Sequence, residues 1–206
     1  MKAKRFLGFL LIFALIFAVN LDAAYAKRRR HNARHHRGDA ELQPVKDKEH
    51  KHRHNNKSAQ IKSIVKLFKE INPRLSHRDA EKYADYIIEA CDRFGQDPFA
   101  IAALIVHEST VNTKAVSRGG DYGLMQVRWK YHKDHIRRSY PAINHARDML
   151  THPRENILIG TEIFAGYRGN KDISAGVRGY SAGNSKLVSK VRNTMSRLES
   201  YYKNFN

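Results

Sequence analysis

The apolar segment 99–106 constrains this chain most, because it is long enough for about two helical turns and has an acidic residue, Glu108, just beyond its end. Asp97 before it is a favoured N-cap residue, and Pro98 fits the first turn of a helix. The sequence therefore predicts a helix with Glu108 in its last turn. A carboxyl group there lies at the negative end of the helix dipole and beside an apolar face, and both effects favour its protonated form.

A glycine-rich loop follows this helix. The helix is expected to end near Asn112, and Gly119, Gly120 and Gly123 then allow the backbone to fold back and approach a ligand closely. An isolated glutamate at a helix end is most often a solvated surface residue. Glu108 is a stronger candidate, because a neutral carboxyl group that faces such a loop is what a general acid requires.

The spacing of three short motifs gives a family resemblance. Glu108 and Ser109 are followed by A-V-S at residues 115–117 and by G-L-M-Q at residues 123–126, so that Met125 comes seventeen residues after the glutamate. This pattern resembles the catalytic segment of the soluble lytic transglycosylases and of the related goose-type lysozymes.

Two later segments extend the resemblance to most of the chain, from about residue 58 to the C-terminus. The sequence N-I-L-I-G at residues 156–160 resembles a helix start of the family. The sequence G-Y-S-A-G-N at residues 179–184 resembles a loop that reads A-Y-N-A-G-N in the family, with Ser181 in place of the asparagine.

The fold that the resemblance implies is mainly α, a lysozyme-like single domain with a substrate cleft, in which residues 119–127 can hold a short β-hairpin. The hydrophobic pattern agrees, because helical spacing recurs and no long alternating pattern indicates a sheet. Ser58 is expected to cap the first helix, and Cys91 lies on an apolar helix face, where a buried structural thiol is expected. The other helices are expected at residues 76–95, 143–150, 155–167, 173–179 and 185–202.

The activity that the resemblance implies is cleavage of peptidoglycan at the β-1,4 bond between N-acetylmuramic acid and N-acetylglucosamine. Glu108 would protonate the leaving oxygen and then accept the proton of the C6 hydroxyl, giving a 1,6-anhydromuramic product without metal or cofactor. The glycan strand is the expected partner of a monomeric protein. The substrate-binding residues that the resemblance implies are Ser109, Ser117, Gly123, Leu124, Met125, Gln126, Asn156, Tyr180 and Ser181.

Some of these residues have a specific role in the resemblance. Tyr180 is expected to hydrogen-bond the catalytic carboxyl group, and Met125 is expected to pack on a sugar ring. Asn156 is expected to support the cleft, while Ser109 and Gln126 contact the substrate directly.

Two other functions remain open. A hydrolytic muramidase of the goose-type lysozyme kind would use water in place of the C6 hydroxyl, directed by a second carboxylate. Arg128 stands where those lysozymes carry an aspartate, and Asp121 is the nearby acid that could replace it. A non-catalytic wall-binding or secretion-assembly protein is the other alternative, and the presence of Glu108 argues against it.

His132 and His135 lie three residues apart and could share a metal ion. A surface position in a basic segment is the stronger expectation for both side chains. The sequence therefore assigns no metal site in this region.

The first 26 residues have the pattern of a signal peptide. Lys2, Lys4 and Arg5 precede an apolar segment at residues 6–19, and A-Y-A at residues 24–26 has the small-x-small form of a signal-peptidase site. The apolar segment is shorter than the roughly 20 residues that a membrane span needs, and an uncleaved anchor is the alternative to a cleaved signal peptide. The sequence predicts export to the periplasm or the exterior.

Residues 27–57 form a basic segment with a different composition. Eleven Lys or Arg residues face four acidic ones, and six of the twelve histidines lie here. So few apolar residues predict a disordered tail ahead of a catalytic domain at residues 58–206. The tail could be a plain linker, could bind anionic envelope polymers, or could bind metal through its histidines. Nucleic acid is not expected as a partner.

Overall fold

The computed structural model describes the backbone of residues 46–206 and the side chains of residues 57–206; the predicted signal peptide and the tail up to residue 45 lie outside them. The described part contains seven α-helices, one 3-10 helix (η1) and one two-stranded hairpin, which confirms the predicted mainly α fold. Residues 48–206 form one compact unit. The elements are α1 (Lys46–Ile71), α2 (His77–Phe94), α3 (Pro98–Ser109), β1 (Asp121–Tyr122), β2 (Val127–Arg128), α4 (Trp129–Ser139), η1 (Ala146–Leu150), α5 (Pro153–Arg168), α6 (Ile173–Tyr180) and α7 (Ser185–Phe205).

Side-chain caps determine where α2 and α3 begin. The Ser76 hydroxyl oxygen accepts a hydrogen bond of 3.0 Å from the backbone N–H of Asp79. The Asp97 carboxylate accepts one of 2.7 Å from the backbone N–H of Phe99, and Pro98 occupies the first turn of α3. The start of α3 is therefore the one that the sequence predicts.

Helix α3 lies at the centre of the hydrophobic core, because every residue from 99 to 106 is buried. Helices α2 and α7 pack against it, and α5 packs against α2, α6 and the hairpin strand β2. Ile64, Leu67 and Phe68 of α1 belong to the same core. Cys91 of α2 is a buried free thiol, as predicted, and burial raises its pKa.

The predicted hairpin is present in the loop after α3. Its strands pair antiparallel, with Asp121 opposite Arg128, and the motif G-L-M-Q forms the turn between them. Gly123 and Gln126 in this turn have positive φ angles of 77° and 47°. Glycine adopts this left-handed conformation at little cost, which explains the residue at the first of the two positions.

The beginning of the described chain differs from the prediction. Helix α1 starts at Lys46, so Ser58 lies inside the helix and is not its N-cap. Residues 46–57, which the composition assigns to a disordered tail, have helical backbone. No proline or glycine interrupts the sequence after Pro44 until the helix ends, so the packed part of α1 can propagate toward the N-terminus.

Helix α4 is an element that the hydrophobic pattern does not predict. Ile136 is its only fully buried residue, while His132 and His135 are partly buried on the inner side. The predicted surface position of these two histidines is therefore wrong. Helix α4 contains few apolar residues, and two histidines lie on its inner side, so a search for apolar residues at helical spacing does not find it. The helix predicted at residues 143–150 is only the 3-10 helix η1.

Candidate active site

Glu108 lies in the last turn of α3, which ends at Ser109 and is followed by Thr110 in a left-handed conformation. The pKa of the Glu108 carboxyl group is raised from its ordinary value of 4.5 to about 7, first by burial and second by the negative charge of Asp121. Within residues 57–206 this carboxyl group has no hydrogen-bond or ion-pair partner. A carboxyl group in this environment holds its proton near neutral pH and can donate it.

Asp121 has the opposite environment at the start of the hairpin. The Arg128 guanidinium holds both of its oxygens, with Nη2 donating to Oδ2 at 2.8 Å and Nε donating to Oδ1. The Ser117 hydroxyl donates to Oδ2 at 2.6 Å. The hydrogen bond from Arg128, followed by the one from Ser117, lowers the pKa of Asp121 despite its partial burial. The site therefore combines a neutral acid with an ionised one, a division that glycosidases use.

Ser117 organises the loop and is not free for a ligand. Its hydroxyl oxygen accepts hydrogen bonds from the backbone N–H groups of Gly119 and Asp121, both at 3.1 Å. Since the same hydroxyl also donates to the Asp121 carboxylate, its hydrogen-bonding capacity is used inside the loop. The structure gives Ser117 a supporting position in place of the substrate contact implied by the resemblance.

Asn156 at the start of α5 fixes the turn of the hairpin. The side chain is fully buried, its Oδ1 accepts from the Met125 backbone N–H at 2.8 Å, and its Nδ2 donates to the Tyr122 carbonyl at 2.9 Å. A Cβ atom on Gly123 would lie 2.5 Å from Asn156 Nδ2, so only glycine fits against this amide. Asn156 thus holds the turn of the hairpin, and its expected role in supporting a substrate cleft stays a prediction.

Met125 and Leu124 do not present their side chains to a ligand. Both side chains are fully buried, and a Cβ atom on Gly160 would lie only 2.5 Å from the Cβ of Met125, which shows how closely α5 approaches the turn. The expectation that Met125 packs on a sugar ring is wrong, because no surface of its side chain is exposed. The residue acts through its backbone and as part of the core.

Tyr180 at the end of α6 contacts the turn and not the Glu108 carboxyl group. Its hydroxyl donates to the Met125 carbonyl at 2.7 Å. The expected hydrogen bond to Glu108 is absent from the described residues, although burial and the negative charge of Glu108 raise the pKa of the phenol. Tyr180 therefore lies near Glu108 and holds the turn that faces it.

Three further predicted residues bond to the backbone. The Ser109 hydroxyl is buried and donates to the Ile105 carbonyl at 3.1 Å, and the Ser181 hydroxyl donates to the Val177 carbonyl at 2.7 Å. Both bonds lie at helix ends, and Ser109 is only 6% exposed. Gln126 is partly exposed, and its Nε2 donates to carbonyls of the loop, one of them that of Gly123 at 2.9 Å. A substrate contact by Gln126 or Ser181 stays a prediction.

Arg128 is the residue of the candidate site whose contact the sequence did not predict. The sequence identifies it only as a departure from the lysozyme pattern, yet it forms the bidentate pair with Asp121. The signal that could have found it is the hairpin itself, because a turn at residues 123–126 places Asp121 and Arg128 opposite each other. Cross-strand neighbours of opposite charge are expected to interact.

A second polar cluster joins α4 to α5, apart from Glu108. His135 Nε2 lies 3.1 Å from Glu162 Oε2, and the Tyr140 hydroxyl donates to the same oxygen at 2.8 Å. Burial and the neighbouring His135 lower the pKa of His132 to about 4, so this ring is neutral near pH 7. In the part of the chain that the structure describes, no three His, Cys, Asp or Glu residues are grouped so that they could hold a metal ion.

A mainly helical fold, with a carboxyl group of raised pKa at the end of a buried helix, is that of a lysozyme-like domain. The Transglycosylase SLT domain family model matches residues 85–203, more than half of the chain, and the chain belongs to this family. Its activity is therefore of the lytic transglycosylase or lysozyme-like glycosidase type, directed at peptidoglycan outside the cytoplasm. No solved structure matches the chain. None of the helices in residues 46–206 is sufficiently long and apolar to cross a membrane.

Proposed function

We propose that the chain is a peptidoglycan lytic transglycosylase that cleaves the β-1,4 bond between N-acetylmuramic acid and N-acetylglucosamine, with Glu108 as its acid and base. The observation that carries this proposal is the contrast between Glu108, whose pKa is about 7, and Asp121, which is ionised and bound by Arg128. Only one of the two carboxyl groups is therefore able to donate and accept a proton at neutral pH.

In the proposed reaction, Glu108 gives its proton to the leaving oxygen as the bond from that oxygen to C1 breaks. The 2-acetamido oxygen of the substrate bonds to C1 and compensates its positive charge. The C6 hydroxyl then attacks C1, the bond to the acetamido oxygen breaks, and the hydroxyl proton returns to Glu108. The product has a 1,6-anhydro ring, and no water is consumed.

A hydrolytic muramidase is the second candidate, and the proximity of Asp121 favours it. The negative charge of Asp121 contributes to the raised pKa of Glu108, so the two carboxyl groups interact. A second carboxylate near the acid could direct a water molecule to C1 if its oxygens were available. The pairing of Asp121 with Arg128 argues for the transglycosylase reaction.

The experiment compares wild type, Glu108→Gln and the exposed control Glu199→Gln on purified sacculi. Mass spectrometry of the released muropeptides in ¹⁸O-labelled water measures both turnover and product type. We expect anhydro ends without label from wild type and from the control, and a loss of at least about 10²-fold in Glu108→Gln. Labelled reducing ends from wild type would establish the hydrolase, and no release at all would favour the non-catalytic alternative.

A further inference from the structure

The carboxylate of Asp121 is covered as well as neutralised. Its side chain is 16% exposed, whereas that of Arg128 is 43% exposed, so the guanidinium is the outer partner of the pair. Arg128 donates one hydrogen bond to each carboxylate oxygen, and the Ser117 hydroxyl donates a third. A bidentate guanidinium combines strength with fixed geometry.

A carboxylate that directs a water molecule must accept a hydrogen bond from it and have enough basicity to take its proton. Three hydrogen bonds to Asp121, two of them from the cationic Arg128 guanidinium, reduce both capacities. Cross-strand pairing in the hairpin maintains the arrangement, because Asp121 and Arg128 are opposite residues of β1 and β2. The hairpin near Glu108 therefore keeps Asp121 and Arg128 together.

We propose that Arg128 is a positioning residue that determines the product: by holding Asp121, it withholds the base that would activate water and leaves the C6 hydroxyl as the nucleophile. This inference rests on the proposed function. In the hydrolytic branch, a water oxygen would bond to C1, the bond from C1 to the acetamido oxygen would break, and one water proton would pass to Asp121. With Asp121 bound, the proton of the C6 hydroxyl passes to Glu108 instead.

The test measures the hydrolytic fraction of products, as ¹⁸O incorporated per cleaved bond, in Arg128→Ala, Arg128→Lys and the double variant Arg128→Ala with Asp121→Asn. Arg197→Ala is the matched control, because the Arg197 side chain on α7 is 46% exposed and pairs with Glu70 on α1, away from the hairpin. Thermal melting of each variant shows whether it is folded. Arg128→Lys keeps the positive charge but has one ammonium group in place of the planar fork.

We expect Arg128→Ala to raise the hydrolytic fraction by about tenfold, less than the roughly 10²-fold that a fully positioned base supplies. Arg128→Lys should give a smaller rise, and the double variant should return to the wild-type fraction, because Asn cannot accept the proton. The control should leave the fraction unchanged. A product ratio is informative because a general loss of folding lowers total turnover and leaves the ratio as it was.

Several results would overturn the inference. If wild type forms anhydro products and every folded Arg128 variant keeps the same hydrolytic fraction, the positioning role is wrong while the proposed function stands. A rise that persists in the double variant means that Asp121 is not the base that Arg128 restrains. Hydrolytic products from wild type overturn both proposals, since water would then react despite the pair.

Discussion

Replacing Glu108 by Gln should stabilise the folded protein at alkaline pH, although the substitution removes the proton that we propose Glu108 donates to the substrate. The pKa of the Glu108 carboxyl group is about 7 in the folded state and 4.5 ordinarily, because burial and the negative charge of Asp121 disfavour its ionised form. The unfolded chain experiences neither effect. Wild type therefore ionises this group at the expense of stability, and glutamine avoids that cost.

The magnitude follows from the difference between the two pKa values, about 7 and 4.5. One unit corresponds to about 1.36 kcal/mol, so the full effect is about 3 kcal/mol. Below pH 4.5 both states hold the proton and the group contributes nothing. Between pH 4.5 and about 7 the unfolded state releases the proton first, so the free energy of unfolding falls as pH rises. Above about pH 7 both states are ionised and the free energy of unfolding stays lower by the full amount.

The assay is denaturant unfolding of wild type and Glu108→Gln at about pH 4, about pH 6 and about pH 8.5, followed by circular dichroism. We expect the stability difference to grow with pH and to reach about 3 kcal/mol at the highest value. Glu199→Gln, an exposed position on α7, controls for loss of a surface charge. A difference between Glu108→Gln and wild type that is the same at all three pH values would refute the raised pKa.

Two further predictions concern the turn and the tail. Gly123→Ala should lower stability by about 1–3 kcal/mol and reduce turnover, because its Cβ would lie 2.5 Å from Asn156 Nδ2. Gly169→Ala is the control, because Gly169 also has a positive φ but no atom lies within 4 Å of its added Cβ. Equal melting temperatures of the two variants would contradict the clash. Deleting residues 27–45, which leaves α1 intact, should preserve activity on short glycans and make wall binding less sensitive to salt, since attraction by a basic tail is screened over about 8 Å near 0.15 M. Equal salt dependence in both forms would make the tail a plain linker.

Local signals in the sequence account for the parts of the site that were predicted. Asp97 and Pro98 define the start of α3, and the apolar segment after them requires burial on every side, so the position of Glu108 in the last turn follows from one stretch of chain. The hairpin also follows from local signals, the glycines of the loop. Such features depend on neighbouring residues and need no knowledge of the rest of the fold.

The parts that were not predicted depend on which distant atoms meet. The sequence does not show that the Tyr180 hydroxyl donates to the Met125 carbonyl instead of to the Glu108 carboxyl group, because both can accept a hydrogen bond. Nor does it show that Met125 fills the space left by Gly160. Helix α4 was missed because His132 and His135 face inward, where a hydrophobic pattern expects apolar residues.

The turn opposite Glu108 is held by residues that come much later in the chain, and this has a consequence for the order of folding. Asn156 bonds to the Met125 backbone over a separation of 31 residues, and Tyr180 does so over 55. Closing such long loops is slow compared with forming a single helix. A chain that ends before α6 can contain all of α3 and the hairpin sequence, yet it lacks the tyrosine that fixes the turn. Glu108 is thus present before its surroundings are complete, and the turn opposite it is fixed only when the C-terminal helices have docked.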